Sequence, residues 1–416
     1  MQVPQTTEPR RSRRAVASIF ALNGFLAAMW VAHIPVISDR TGVGHDELGG
    51  LLLLLGGSAF VGMQVCGPLI DRWGSRPLTV AAAVVLAAVI VTPVLAVDTL
   101  TLGAALAAFG FANGCLDVSM NAQAVAVERA YRRPIMSSFH GWFSSGSLVG
   151  SGVVAATLWA DVGVVPTVAC AAVAGLVVVA AVARGLAGRD ERPTTSTNNS
   201  SGSSSGSTWW DGIDRRRLVL LAIVAFGLML AEGTAYDWSA LHVVESYGTG
   251  EAIGAIAFGA FSATMTVSRF VIDPVVASVG AVRVVRVGAL VGIVGMAIAI
   301  VSPVPALAVV GWAVFGVGLA GLIPQIFTAA GNLTDSAGGR TISIVVGCGY
   351  LGMLAGPAVV GFISSRTSLN TGLHAALAAL LLAVCLAGVV RPPQRPVSAL
   401  GEPRSSHPGG RATLEG

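Results

Sequence analysis

Charge is scarce in this sequence. Only 11% of its 416 residues are Asp, Glu, Lys or Arg, against about 25% in an ordinary soluble domain. Lysine is absent, so all 25 basic residues are arginine. These arginines stand in the connections between apolar runs, so the net charge of +4 does not describe a nucleic-acid surface. The five cysteines, Cys66, Cys115, Cys170, Cys348 and Cys385, lie inside apolar runs without metal-ligand spacing. They read as small packing residues, not disulfides or ligands. No phosphate-binding glycine loop, dinucleotide fingerprint, zinc spacing or nucleophile motif appears. That disfavours an enzyme or an ATP-driven pump, and no cofactor is expected.

Long uncharged stretches fill the space that charge leaves. Hydrophobic residues make up 54% of the chain, and a helix needs roughly 20 apolar residues to cross the hydrocarbon core. The stretches 15–37, 78–97, 163–183, 341–363 and 371–390 meet that length. In lipid every backbone polar group must be satisfied within the segment, so these runs predict helices. An outer-membrane barrel would alternate apolar and polar residues, and residues 81–91 do not. The first 14 residues are polar and basic, and no small-residue cleavage motif follows the run 15–37. That run therefore reads as a first transmembrane helix, not a removed signal.

The pattern predicts twelve spans, at 15–37, 47–70, 78–97, 99–127, 135–159, 163–183, 218–240, 251–272, 283–301, 305–330, 341–363 and 371–390. Arginines orient them. Arg10 to Arg14, Arg72, Arg76, Arg129, Arg132, Arg133, the group from Arg184 to Arg217, Arg269, Arg283, Arg286, Arg340 and the tail arginines fall on one side. Only Arg40 and Arg366 fall on the other. By the positive-inside rule both termini and the central connection are expected to be cytoplasmic, as in a bacterial inner-membrane protein. Residues 193–208 read PTTSTNNSSGSSSGST, a flexible linker with no means of forming a core. The expected organisation is a tail at 1–14, a six-helix bundle at 15–183, a linker at 184–217, a second bundle at 218–390 and a tail at 391–416. Trp209 and Trp210 are expected at the membrane surface.

The halves repeat. Gly74 and Gly280, each ending an equivalent turn, are 206 positions apart. The same ungapped offset lays Phe109 and Gly110 on Phe315 and Gly316, and Gly141, Gly146 and Gly150 on Gly347, Gly352 and Gly356. Paired six-helix repeats suit a transporter whose lobes rock against each other. Small residues four apart also serve close helix packing.

The stretch GPLIDRWGSRP at 67–77 resembles the loop motif of the major facilitator superfamily. Gly67, Asp71, Arg72, Gly74 and Arg76 match it, and Pro77 departs at the last basic position. The second-half counterpart keeps Arg269, Asp273, Gly280 and Arg283 but has Ala277 and Ser278 in place of the Asp-Arg pair. The stretches 117–150 and 232–243 are similar to the bacterial group around the rhizopine-associated membrane protein MosC. The resemblance covers about 15–390. It implies an all-α major facilitator fold, twelve helices in two pseudo-symmetric bundles, working as a monomer. It also implies a sugar- or cyclitol-like solute, because a rhizopine is an amino-cyclitol derivative. Asp71 would then act as a cytoplasmic latch on the other lobe at the start of helix 11, near Thr341 and Ile342. Arg72 and Arg76 could pair with acids such as Glu128, or simply obey the charge rule. Drug exporters of the superfamily carry Gly-Pro in helix 5. Here 146–152 has no proline, which weakens a drug-efflux reading.

Charges within spans are costly and are functional candidates. Glu232 lies 14 positions into its predicted helix, about 21 Å at 1.5 Å per residue, past the midplane toward the periplasm. Tyr236 is on the same face one turn on. The pair could handle solute or protons, or make an inter-helix hydrogen bond or a vestibule wall. Asn113, Asp117 and Asn121 form an i, i+4, i+8 stripe that should face a cavity or another helix. Asp117 could take a proton, bind a polar solute or cap a gate. Asn23, His140, Trp142 and Gln325 add amides and aromatics that suit a hydroxylated solute, although each alone also fits packing. His33 and Asp237 are expected at the periplasmic surface. Two intramembrane acids predict proton coupling to alternating access. A non-transporting receptor or scaffold is the other class, and it would need an output domain that the short tails and linker do not supply.

Overall fold

A computed structural model describes residues 7–43, 45–188, 213–334 and 338–392. The serine-rich linker, Trp209, Trp210 and the tail arginines from Arg395 onward lie outside the described residues. Among the described residues there are helices and turns and no strand. The twelve long helical segments are α1 (Thr7–Thr41), α2 (His45–Trp73), α3 (Ser75–Leu95), α4 (Thr99–Tyr131), α5 (Met136–Trp159) and α6 (Val164–Val182), then α7 (Arg215–Tyr247), α8 (Glu251–Val279), α9 (Ala281–Val301), α10 (Pro305–Gly331), α11 (Gly339–Ser364) and α12 (Leu369–Val390). Eleven are long and apolar enough to cross a membrane. The exception, α5, has 24 residues but carries six serines and four glycines, which dilute its hydropathy without shortening it.

The helices outrun the apolar stretches that announce them. In α1 the helix begins at Thr7, so the arginine-rich stretch is already helical. Hydrophobicity marks only the part of a helix within the hydrocarbon. Three spans are interrupted. In α3 and α10 the interruption precedes Pro93 and Pro324, which have no N–H to give the carbonyl four residues earlier. In α12 a single turn, Leu369–Gly372, leads into His374–Leu386.

Close backbone contacts assemble two bundles. Helix α1 packs on α5 and α2 on α4 in the first, α7 on α11 and α8 on α10 in the second. A methyl group at Gly110 would collide with the Leu55 carbonyl, and one at Gly316 with the Phe261 carbonyl. Both members of that contact recur at the offset of 206. Gly146 meets the Ala21 carbonyl and Gly352 the Phe226 carbonyl. There the glycines keep 206 while the carbonyls differ by 205, so α1 and α7 slip by one residue. The bundles meet along α2 with α11 and α5 with α8, and the last part of α10 touches α4 and α5.

Candidate functional site

Alternate helices run in opposite directions, so one end of the molecule gathers Arg72, Arg129, Arg215 and Arg340. At this basic end two carboxylates reach from one bundle to the start of a helix in the other. Asp71, near the end of α2, accepts from the backbone N–H of Gly339 at 2.8 Å and of Arg340 at 3.2 Å. The Arg340 Nε stands 3.8 Å from the same carboxylate. Helix α11 thus starts two residues before the expected Thr341. Asp273, on α8, accepts from Ser137 N–H at 3.1 Å and Ser138 N–H at 2.9 Å at the start of α5. Backbone amides with no partner inside their own helix, together with the helix dipole, make both places favourable for an anion.

Other groups close this end. Arg129 donates to the Gly331 carbonyl and to Asn332 Oδ1. Glu128 accepts from Ile135 and Met136 N–H and from the Thr328 hydroxyl, each at 2.8 Å. Its oxygens serve the start of α5 and the end of α10. The Arg72 guanidinium lies over the Trp73 ring, and Arg76 is half-buried at the start of α3. Gly74 separates α2 from α3 at φ 87°, and Gly280 separates α8 from α9 at φ 84°, a region glycine enters without steric cost. Gly67 faces Ser343 so closely that a Cβ would strike its side chain.

Deeper in, Arg269 joins the lobes. Its Nη2 donates to Glu232 Oε1 at 3.0 Å and its Nη1 to Ser144 Oγ at 3.0 Å. The side chains of Arg269 and Glu232 are 5% and 8% exposed, so this ion pair is withdrawn from lipid and from bulk water. Arg269 was expected beside the α8–α9 connection. It lies ten residues inside α8, about 15 Å from that end at 1.5 Å per residue. Glu232 sits at the middle of the 33-residue α7, because that helix starts before its apolar run and ends after it. Tyr236 lies within electrostatic reach of both charges, with its ring edge against Phe261.

Asp117 is buried on α4. Asn121 Nδ2 donates to the Asp117 carbonyl at 2.9 Å and lies 3.5 Å from its carboxylate. Among the described residues Asp117 Oδ2 and Asn121 Oδ1 find no hydrogen-bond partner, nor do Asn23 Oδ1, Asn113 Oδ1, His140 Nε2, Gln325 Nε2 and Arg269 Nε. Asn23 reaches α4 through the Met120 sulfur. Tyr350 of α11 lies within electrostatic reach of both Asp117 and Glu232, linking the two acids across the lobes. His140 packs against Phe20 and Phe327, and Arg269 acts on it electrostatically.

Asn23 on α1, Asp117 and Asn121 on α4, Glu232 on α7 and Gln325 on α10 are buried, His140 on α5 and Asn113 on α4 are half-buried, and Tyr236 on α7 is 40% exposed. Trp142 sits apart, nearly half exposed, with its ring edge on Phe270 at the α5–α8 seam. His33 is not at the surface. It is fully buried, bonding the Met29 carbonyl, while Asp237 is exposed. Sequence reasoning missed Arg269 as an interior charge, Ser144 and Tyr350. Counting back from Gly280 marks Arg269 as three turns inside a helix. Its repeat counterpart is Met63, an asymmetry that flags a charge with a local purpose. A separate, largely apolar groove of about 880 Å3 between α7, α11 and α12 has Arg215 among its lining residues, and does not include these residues.

This fold defines a multi-pass membrane protein whose two bundles enclose a polar, charge-paired interior. The profile of the Major Facilitator Superfamily matches residues 15–273 and 221–413, and the chain belongs to that superfamily of transporters. It is 33% identical over 381 residues to an uncharacterised MFS-type transporter of Yersinia pestis, covering 91% of this chain and 96% of that one. It is 28% identical over 371 residues to the membrane protein MosC of Rhizobium meliloti, covering 89% and 88%. Among solved structures the fold is similar to FucP in the outward conformation, with a TM-score of 0.75, 13% identity and coverage of 91% and 98%. It is also similar to the proton:xylose symporter XylE, at 0.70, 11% identity and coverage of 92% and 94%.

Proposed function

We propose that this protein is a secondary active transporter that moves a small hydroxylated solute, sugar- or cyclitol-like, by alternating access coupled to protons. The observation that carries the reading is the Arg269 strap, an intramembrane cation paired with Glu232 in its own lobe and bonded to Ser144 in the other. A buried charge pair is expensive to assemble, and one that also ties the moving halves together is placed to sense their separation. The unpartnered amides and carboxylate nearby offer hydrogen bonds to a polar solute. Neighbours of the same fold include a fucose:proton symporter and a proton:xylose symporter, which supports the choice of solute class.

In this reading the basic end faces the cytoplasm of a bacterial cell, by the positive-inside rule. Bundles at 15–183 and 218–390 rock about the interior, and the contacts of Asp71 and Asp273 hold the cytoplasmic end shut. Gly67 permits the close seam, Gly74 permits the turn, and Arg72 and Arg76 keep the connection in the cytoplasm. The test is uptake of labelled sugars and cyclitols into proteoliposomes with and without an imposed pH gradient. Gradient-driven accumulation of at least one, falling at least tenfold in Arg269→Ala, is expected. If none of the panel is moved in either direction, or Arg269→Ala transports normally, the reading fails.

A further inference from the structure

The two interior acids differ in what faces them, and that difference assigns their roles. Glu232 has a guanidinium at 3.0 Å, so its negative charge is balanced in place. Asp117 has no such partner. Around it stand Asn121 on its own helix, Tyr350 on α11, and Asn23 on α1 by way of Met120. Among the described residues no cationic side chain pairs with it, and its Oδ2 is buried without a hydrogen bond. Tyr350 also lies within electrostatic reach of Glu232, which is of the same sign and already paired.

An isolated carboxylate in a low-dielectric interior is far costlier than the neutral acid, and such a group takes up a proton. Resting on the transporter reading above, we propose that Asp117 is the acid that carries the proton and that Glu232 stays an anion, held by Arg269, through the cycle. The step is a transfer from hydronium to one Asp117 oxygen, leaving water and a neutral carboxylic acid. With that proton bound, Glu232 and Arg269 cancel and the interior is neutral. Without it the interior carries one net negative charge. The solute-loaded lobes therefore exchange sides with Asp117 protonated, and the proton leaves when water reaches Asp117 from the other side, before the empty lobes return.

Infrared spectroscopy of the full chain in liposomes tests this without a solute. The wild type should show a protonated-carboxyl C=O band near neutral pH that shifts on deuteration. Part of it should vanish in Asp117→Asn, and the band should remain whole in Glu232→Gln. Loss of the band in Glu232→Gln, or an undiminished band in Asp117→Asn, overturns the assignment. Should either variant fail to fold, labelling the wild type with a hydrophobic carbodiimide and mapping the adduct by mass spectrometry decides the matter. Such reagents couple to protonated buried carboxyls, so the adduct is expected on Asp117. An adduct on Glu232, or on neither acid, overturns it. This outcome is independent of flux. A vanished band with no transport would sink the proposed function alone, and robust pH-driven uptake with the band on Glu232 would sink only this assignment.

Discussion

The seam between α2 and α11 and the seam between α8 and α5 are the same structural element built twice, with the acid in different places. In the first, Asp71 caps α11 while Gly67, one turn earlier, lies hard against Ser343. In the second, the repeat equivalent of Asp71 is Ala277, and the equivalent of Gly67 is Asp273. Ser343 likewise corresponds to Ser137, whose N–H Asp273 receives. The apparent wear of the second motif is therefore a displacement. The carboxylate has moved one turn along the helix, onto the same face, and still finds the first amides of a helix in the opposite lobe. What the repeat preserves is an anion at a helix start, more than the residue position that supplies it.

The two caps should not be equally strong. Asp273 is buried, with 6% exposure, whereas the Asp71 side chain is 28% exposed. Hydrogen bonds to a charged group contribute about 1.5–3 kcal/mol, and a buried amide left unsatisfied costs about 1–3 kcal/mol. Asp273→Ala should therefore shift the balance between closed and open basic ends toward open by roughly a hundredfold, about 3 kcal/mol by the same rule. Spin-label distances between the ends of α5 and α8 would read this. Adding Ala277→Asp to Asp273→Ala should recover part of the closed population, because it restores the first-half arrangement. No recovery would mean that the turn-by-turn equivalence is wrong. Asp71→Asn is the smaller perturbation. A partly exposed charge near a helix start contributes about 0.3–1 kcal/mol, a shift of roughly two- to fivefold, read from labels on α2 and α11. An effect of Asp71→Asn as large as that of Asp273→Ala would overturn the ranking by burial.

Much of this architecture was visible in the residues, for reasons that differ from place to place. The spans showed themselves because lipid demands unbroken apolar helices, and the repeat because glycines at 110, 146, 316 and 352 are held by carbonyls that leave no room for a side chain. The polar stripe of α4 was visible as a period. Arg269 was not, because an arginine a few turns from a loop looks like a loop arginine until the helix end is fixed at Val279. Nor could spacing show that Glu232 and Arg269, on different helices, meet while Asp117 stays alone. That depends on which faces of α7 and α8 pack together. The Asp273 contact was hidden for a related reason, since an alignment to the first-half motif looks for the acid at 277.

The opposite end of the molecule repeats the comparison on a smaller scale. Helices α4 and α10 are equivalent, and their first caps, Asp98 and Val304, are 206 positions apart. Asp98 accepts from Thr101 N–H at 2.8 Å, and its own N–H donates to the Thr101 hydroxyl at 3.2 Å, a reciprocal capping box. Val304 has no capping side chain and is followed by proline at the first helical position, where no N–H is missed and φ is already helical. One helix start is thus electrostatic and the other steric. The Thr101 N–H, followed by its hydroxyl, holds the Asp98 carboxyl below the ordinary carboxylate range. Its contribution is therefore complete above the unfolded-state pKa and is lost as pH falls through the lower folded-state value. Hydrogen exchange at 99–103 should quicken relative to 305–309 as the pH drops below about 4, the usual aspartate value, after correction for intrinsic rates. Asp98→Ala should give the same fast exchange at neutral pH. Equal acid sensitivity of the two helix starts would show that the capping box contributes nothing that proline does not.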